Sequence, residues 1–290
     1  MEIAHQIVDD ETPIARYISF EKFFHMMAFQ EAFWPSLHKL RDASGNQGDP
    51  LEGSGSFSDL LSNNGFAAYF DIAMAAWPGG RKEKIEGRLE RMREIENETF
   101  ETPFGLKKRT DYIDVLDHMS TWVDVWCWNK YDHERVDMWR AYGGGPGSVM
   151  ITSTVGKVKN ALSTPRELAL AITEVEYVEE IKGSKNINRI FSPLSKKSHV
   201  YKSEQELRFL LYDKNSPINS PREARGTKVK LNLHLMITDV VAHYQTSSWM
   251  MESINKITNL TLGRDAKKSY IQMEIEHSSI ARAMFNKQPS

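Results

Sequence analysis

The stretch KSEQELRFLLY places Glu204, Glu206 and Arg208 at alternate positions. Alternate residues of a strand share a face, so two carboxylates point one way while Leu207, Phe209 and Leu211 point the other. That pattern suits a paired acid site, and equally a sheet face on which glutamate and arginine pair across strands. Near the start of the chain, ARYISF raises a second question. Alternation puts Arg16 on the face of Ile14, Ile18 and Phe20, where an unpaired guanidinium is costly, so an anion is required: Glu206, Asp49 or a ligand phosphate. Ser153, in ITSTVGKV, ends a strand that passes into a helix, an ordinary N-cap position. Asp49 and Glu52, in GDPLEGS, can cap a helix, pair with Arg16, or bind a hard metal together with Glu204 and Glu206. The last arrangement is that of a carboxylate–metal nuclease.

Hydrophobic periodicity sets out the elements that must hold these groups. It predicts strands at 13–20, 122–128, 148–154, 168–178, 204–212, 226–232 and 236–243. Helices are predicted at 20–33, 66–76, 81–98, 105–121, 133–142, 155–162 and 248–260. Residues 41–64 are rich in Gly, Ser, Asn and Asp and read as loop. The class is therefore α/β or α+β, a single domain over 1–290 with a helical insertion or lid at 41–121. The turn AYGGGPGS lacks the Gly-Lys-Ser/Thr ending of a phosphate-binding loop and reads as a tight connection.

A formal net charge of -2 on 290 residues leaves no whole-molecule field for nucleic acid or anionic lipid. No apolar run is long enough to span a bilayer and no secretory leader is visible, so a cytoplasmic protein without membrane association is expected. The single cysteine, Cys127, excludes an internal disulfide, and no Cys/His spacing of a zinc site occurs. One segment is locally basic: residues 182–202 carry six lysines and arginines, among them Lys196, Lys197 and Lys202, beside Tyr201. It reads as a solvated loop or as a surface for a nucleic-acid or nucleotide acceptor.

Four stretches, RYISFEKF, GDPLEGS, CWNKYDHERVDMWRAYG and KKSHVYKSEQELRF, resemble in this order the prokaryotic family termed domain of unknown function 2971. More distantly, the order Arg16, Ser153, Glu204/Glu206 resembles the arginine–serine–glutamate class of ADP-ribosyltransferases. That resemblance implies an α+β fold with a mixed, largely antiparallel β core, and NAD as co-substrate. It implies that Arg16 holds the NAD phosphates or ribose, Ser153 orients the glutamate, and Glu206 stabilises the ribosyl cation as nicotinamide leaves. Glu204 would act on the incoming nucleophile, and Tyr17 with Trp126 or Trp128 would stack on the nicotinamide ring. Asp49, Glu52 and Arg208 would support these groups. The segment bearing Lys196, Lys197, Tyr201 and Lys202 would select a nucleic-acid or protein acceptor. Such an enzyme would be a toxin or antiphage effector that modifies a nucleic acid or protein or hydrolyses NAD outright, with an antitoxin or defence-system partner. A non-catalytic sensor of a nucleotide or phage component is the remaining expectation.

Overall fold

The computed structural model describes residues 1–42, Asp49, 99–108, 111–131, 133–178, 190–223 and 226–285, with scattered positions between 86 and 97. In chain order, β1 (Glu2–Gln6) and β2 (Pro13–Ile18) lead into α1 (Phe20–Phe29), β3 (Glu31–Trp34) and α2 (Leu37–Asp42). A hairpin, β4 (Thr99–Thr102) and β5 (Gly105–Lys108), precedes α3 (Tyr112–Trp122) and β6 (Asp124–Asn129). Then come α4 (Val136–Met138), which widens into a π-helical turn at Trp139–Gly143, and β7 (Val149–Thr154). They are followed by α5 (Val155–Ala161), β8 (Leu162–Ser163), β9 (Leu168–Glu174), β10 (Glu176–Val178) and β11 (Lys196–Ser198). The chain continues through β12 (Glu206–Asp213), β13 (Thr227–Leu231), α6 (Leu233–Met236), β14 (Asp239–Ala242), α7 (Ser248–Leu262) and α8 (Tyr270–Phe285).

Seven of these strands form one open sheet in the order β1-β9-β12-β6-β2-β7-β14, antiparallel except for the β1/β9 pair. The fold is mixed α+β with a largely antiparallel core. One face of the sheet carries Ile14, Ile18, Trp126, Trp128, Leu207 and Phe209. It is covered by α1, α5, α7 and the small β3-β13-β8 sheet, which supply Phe23, Val158, Ile254 and Val229. The opposite face carries two separate apolar clusters. Leu210, Tyr212 and Val125 pack under α3 through Leu116 and Met119, while Ala15, Tyr17 and Met150 pack under Trp139 and Met138. Glu206, Arg208 and Asn129 lie between these clusters, because Glu206 pairs with Asn129 and Asn129 with Ala15.

Several predicted boundaries shift for identifiable reasons. The helix predicted over 20–33 stops at Phe29, where Gln30 adopts a left-handed conformation with φ 49, and 31–34 becomes a strand. The helix predicted over 105–121 begins only after the β4/β5 hairpin. Of the insertion expected at 41–121, positions 43–48 and 50–85 lie outside the described residues, as does Glu52. The described end of that segment, α3, packs directly on the main sheet. Among the described residues no helix is long and apolar enough to cross a membrane.

The feature that matters most for function is a gap in the sheet. β2 and β6 pair at a single position, Ala15 with Asn129, and then diverge. Further along β6 the partner is no longer β2 but the chain after β3: Val125 N–H donates to the Pro35 carbonyl at 2.8 Å, and Leu37 N–H to that of Val123 at 2.9 Å. A slot therefore opens between β2 and residues 126–128, closed at both ends. At φ +94, Gly226 lies so near the Trp34–Pro35 peptide that an added Cβ would clash with the Trp34 carbonyl oxygen. Gly226→Ala is expected to lower the unfolding free energy by about 1–3 kcal/mol through backbone strain. A shifted urea midpoint at constant slope checks this.

Candidate functional site

The slot opens into a cavity of about 790 Å³ lined from both faces of the sheet. That volume is in the range of small-molecule sites. Arg16, Trp126 and Trp128 reach it from one side, and Tyr142, Lys197, Glu204 and Glu206 from the other. The arginine near the N-terminus and the two acids of 204–206 thus face one space.

The acids belong to a buried ionic cluster. Lys197 Nζ lies 2.7 Å from Glu204 Oε2 and 3.1 Å from Glu206 Oε2. Arg208 Nε donates to Glu206 Oε1 at 2.7 Å, and its Nη1 to the Leu194 carbonyl at 3.0 Å. Tyr142 O–H donates to Glu204 Oε1 at 2.6 Å, and the Glu206 backbone N–H donates to the Tyr177 hydroxyl at 2.7 Å. Every carboxylate oxygen of the pair therefore has a donor. The two acids converge without the simple strand alternation expected for 204–212. Glu204 ends a 3-10 turn, and Gln205, at φ 46, swings the chain into β12. A left-handed glutamine is uncommon and bears strain that the surrounding contacts must hold.

Burial raises the Glu206 pKa, but Arg208 and Lys197 lower it further, and the net result is a value of about 2. A carboxyl group whose folded pKa is depressed stabilises the fold above its unfolded pKa, and that contribution is lost as pH falls toward the folded value. The cluster should therefore keep its full effect above the ordinary glutamate value of 4.5 and lose it progressively down to about 2. A pH series of denaturant midpoints reads this directly, and a Glu206→Gln variant should show a smaller slope over the same interval.

Arg16 is placed differently. It donates from Nη1 to the Cys127 carbonyl, the group left without a β2 partner by the gap, and its guanidinium lies 5.6 Å from the Trp126 ring centre. Among the described residues it forms no ion pair. The two anions expected to compensate it are engaged elsewhere: Glu206 by Lys197 and Arg208, and Asp49 by the Ser198 backbone N–H. Burial lowers the pKa of the guanidinium, while Glu206 and Tyr142 oppose that shift from a distance. An arginine stays charged regardless.

Other expected site residues are placed less favourably. Ser153 shares the sheet face of Arg16, since Ile14 pairs with Ser153 and Arg16 with Ile151. It does not line the cavity; its hydroxyl donates at 2.5 Å to the Met236 carbonyl under α6 and cannot orient a glutamate. Tyr17 touches the cavity wall, but its ring packs edge-on against Trp139 and its hydroxyl accepts from the Arg135 N–H, so it does not stack on a ligand ring. Trp126 and Trp128 are 3% and 1% exposed and pack against each other, with Trp34 against Trp126. They form wall rather than a stacking platform, because their faces are covered by protein.

The basic segment is corrected most. Lys196 and Lys197 are buried, and Lys197 is the cation of the acid pair rather than a contact for an acceptor. The Tyr201 ring lies 4.8 Å from the Lys197 ammonium and lines the cavity, while Lys202 is exposed. Sequence reasoning missed Tyr142, Tyr177 and Asn129 as partners of the acids. Tyr142 lies in the CWNKYDHERVDMWRAYG stretch, one of the four singled out in the sequence.

Comparison with family models, with curated proteins and with solved structures finds no match. The functional reading is carried by the residues and their geometry.

Proposed function

We propose that the cavity binds NAD and that the chain breaks the nicotinamide–ribose bond, as an ADP-ribosyltransferase-like enzyme. The observation that carries this reading is the Arg16 guanidinium, without an ion-pair partner among the described residues, facing two positioned carboxylates across one cavity. A half-buried cation with no anion partner is complementary to a phosphate. Glu206 stays ionised at every physiological pH and is fixed by hydrogen bonds at both oxygens. Cleavage of the nicotinamide–ribose bond develops positive charge on the sugar, and a preorganised carboxylate stabilises that charge more than ground-state NAD.

The nuclease alternative has less support. Lys197 fills the space between Glu204 and Glu206 where a metal would bridge them. Among the described residues no three potential metal ligands group together.

The test is to incubate the purified chain with NAD and follow nicotinamide release, comparing wild type with Glu206→Gln. Release by wild type that falls sharply, per folded molecule, in the variant supports the reading. Equal release from both defeats it.

A further inference from the structure

We infer that the nucleophile admitted to this site is water, so that the chain hydrolyses NAD to free ADP-ribose, with Tyr142 passing the released proton outward. The inference rests on the NAD-cleaving reading above and goes beyond it by assigning the acceptor.

The first ground is the confinement of Glu204. This residue is 7% exposed, its two oxygens are held by Tyr142 and Lys197, and its carbonyl accepts from Asn129 Nδ2 at 3.0 Å. A protein side chain or a nucleobase would have to bring its own backbone against this locked, buried acid. A water molecule occupies only about 30 Å³. The second ground is the burial of the cations nearest the acids. In the described 196–202 segment Lys196 is 2% exposed and Lys197 is held by Glu204 and Glu206, so of its lysines only Lys202 is exposed.

The third ground is the path of the proton. Tyr142 is 44% exposed, yet its hydroxyl is 2.6 Å from the carboxylate of buried Glu204. It is held there by the π-helical turn Trp139–Gly143, a local widening of the helix of the kind found at functional sites. The hydroxyl therefore lies between a buried base and the cavity that Tyr142 lines. In the step itself the C1′–N bond breaks and its electron pair leaves with the pyridine nitrogen, giving neutral nicotinamide. The water oxygen bonds to C1′, and the proton it sheds passes to Glu204 and through the Tyr142 hydroxyl to solvent. One NAD and one water thus yield ADP-ribose, nicotinamide and a proton.

The experiment uses the full chain with adenine-labelled NAD, alone and with added bacterial lysate, and quantifies nicotinamide, free ADP-ribose and macromolecule-bound label. Expected are equal amounts of nicotinamide and free ADP-ribose, undiminished by lysate. For Tyr142→Phe, kcat should fall about ten-fold or more at an unchanged KM, with an altered pH profile and a larger solvent deuterium isotope effect. Label accumulating on protein or nucleic acid in step with nicotinamide overturns the inference and leaves NAD cleavage standing. A Tyr142→Phe variant with wild-type kcat, pH profile and isotope effect overturns the relay. Absence of nicotinamide release with and without lysate removes the cleavage reading itself, and this inference with it.

Discussion

Replacing Arg16 by methionine is expected to leave the thermal midpoint unchanged or to raise it, while weakening NAD recognition. The sign follows from the gap between β2 and β6. There the half-buried guanidinium has a carbonyl and an indole face as partners but, among the described residues, no carboxylate, so the folded protein bears a desolvation cost for this cation. Methionine fills a similar volume and removes that cost, at the loss of one hydrogen bond to Cys127. On the functional side, each hydrogen bond to a charged group contributes about 1.5–3 kcal/mol, which corresponds to a KM raised roughly ten- to a hundred-fold. Calorimetry and steady-state nicotinamide release measure the two effects separately. A strongly destabilised variant with an unaltered KM would mean that Arg16 is a structural residue, and the anion-binding argument would fail.

Glu206→Gln should behave in the opposite sense, losing both stability and activity. Its carboxylate neutralises Lys197 and Arg208 at 3.1 and 2.7 Å in a nearly dry environment, and removing it leaves buried cations short of an anion. Breaking a buried pair in this way costs about 3–5 kcal/mol. Loss of a preorganised charge beside the developing cation costs a further factor of about 10²–10³ in kcat. Arg208→Met separates the two contributions, because it disrupts the same cluster but keeps both carboxylates. It should be destabilised comparably while retaining far more activity per folded molecule. If both variants lose activity in proportion to their loss of folded protein, the role of Glu206 is structural.

The two substitutions address opposite halves of one cavity, and their contrast has a common cause. A sheet that closes all its hydrogen bonds has no room for a ligand. Here one strand pair is abandoned after Ala15–Asn129, and the chain after β3 takes over the β6 edge at Val123–Val125. The polar groups released by that change of partner, together with a charged seam between two apolar clusters, supply the recognition chemistry.

Much of this was legible in the residues alone. The alternation of KSEQELRFLLY was enough to put Leu207, Phe209 and Leu211 in the core and Glu206 with Arg208 on the other face, because pleating imposes period two on any strand. The alternation around Arg16 likewise identified a guanidinium on an apolar face, and the register with Ser153 and Ile151 has that form. Strands and helices interspersed along the chain limited the class to α/β or α+β; that the main sheet is largely antiparallel was decided by the strand pairings.

What sequence could not decide is which partner each charged group finds. Nothing local distinguishes Lys197, buried between two glutamates, from Lys202, exposed five residues later. Burial of a charge depends on what folds over it, and here that is a 3-10 turn, a left-handed glutamine and a tyrosine from a distant π-helical turn. Ser153 illustrates the same limit from the other side: its place on the strand was foreseeable, whereas the α6 carbonyl that takes its hydroxyl was not. Strand periodicity is a property of neighbouring residues, and the chain carries it openly. Electrostatic pairing is a property of space, and only the tertiary structure assigns it.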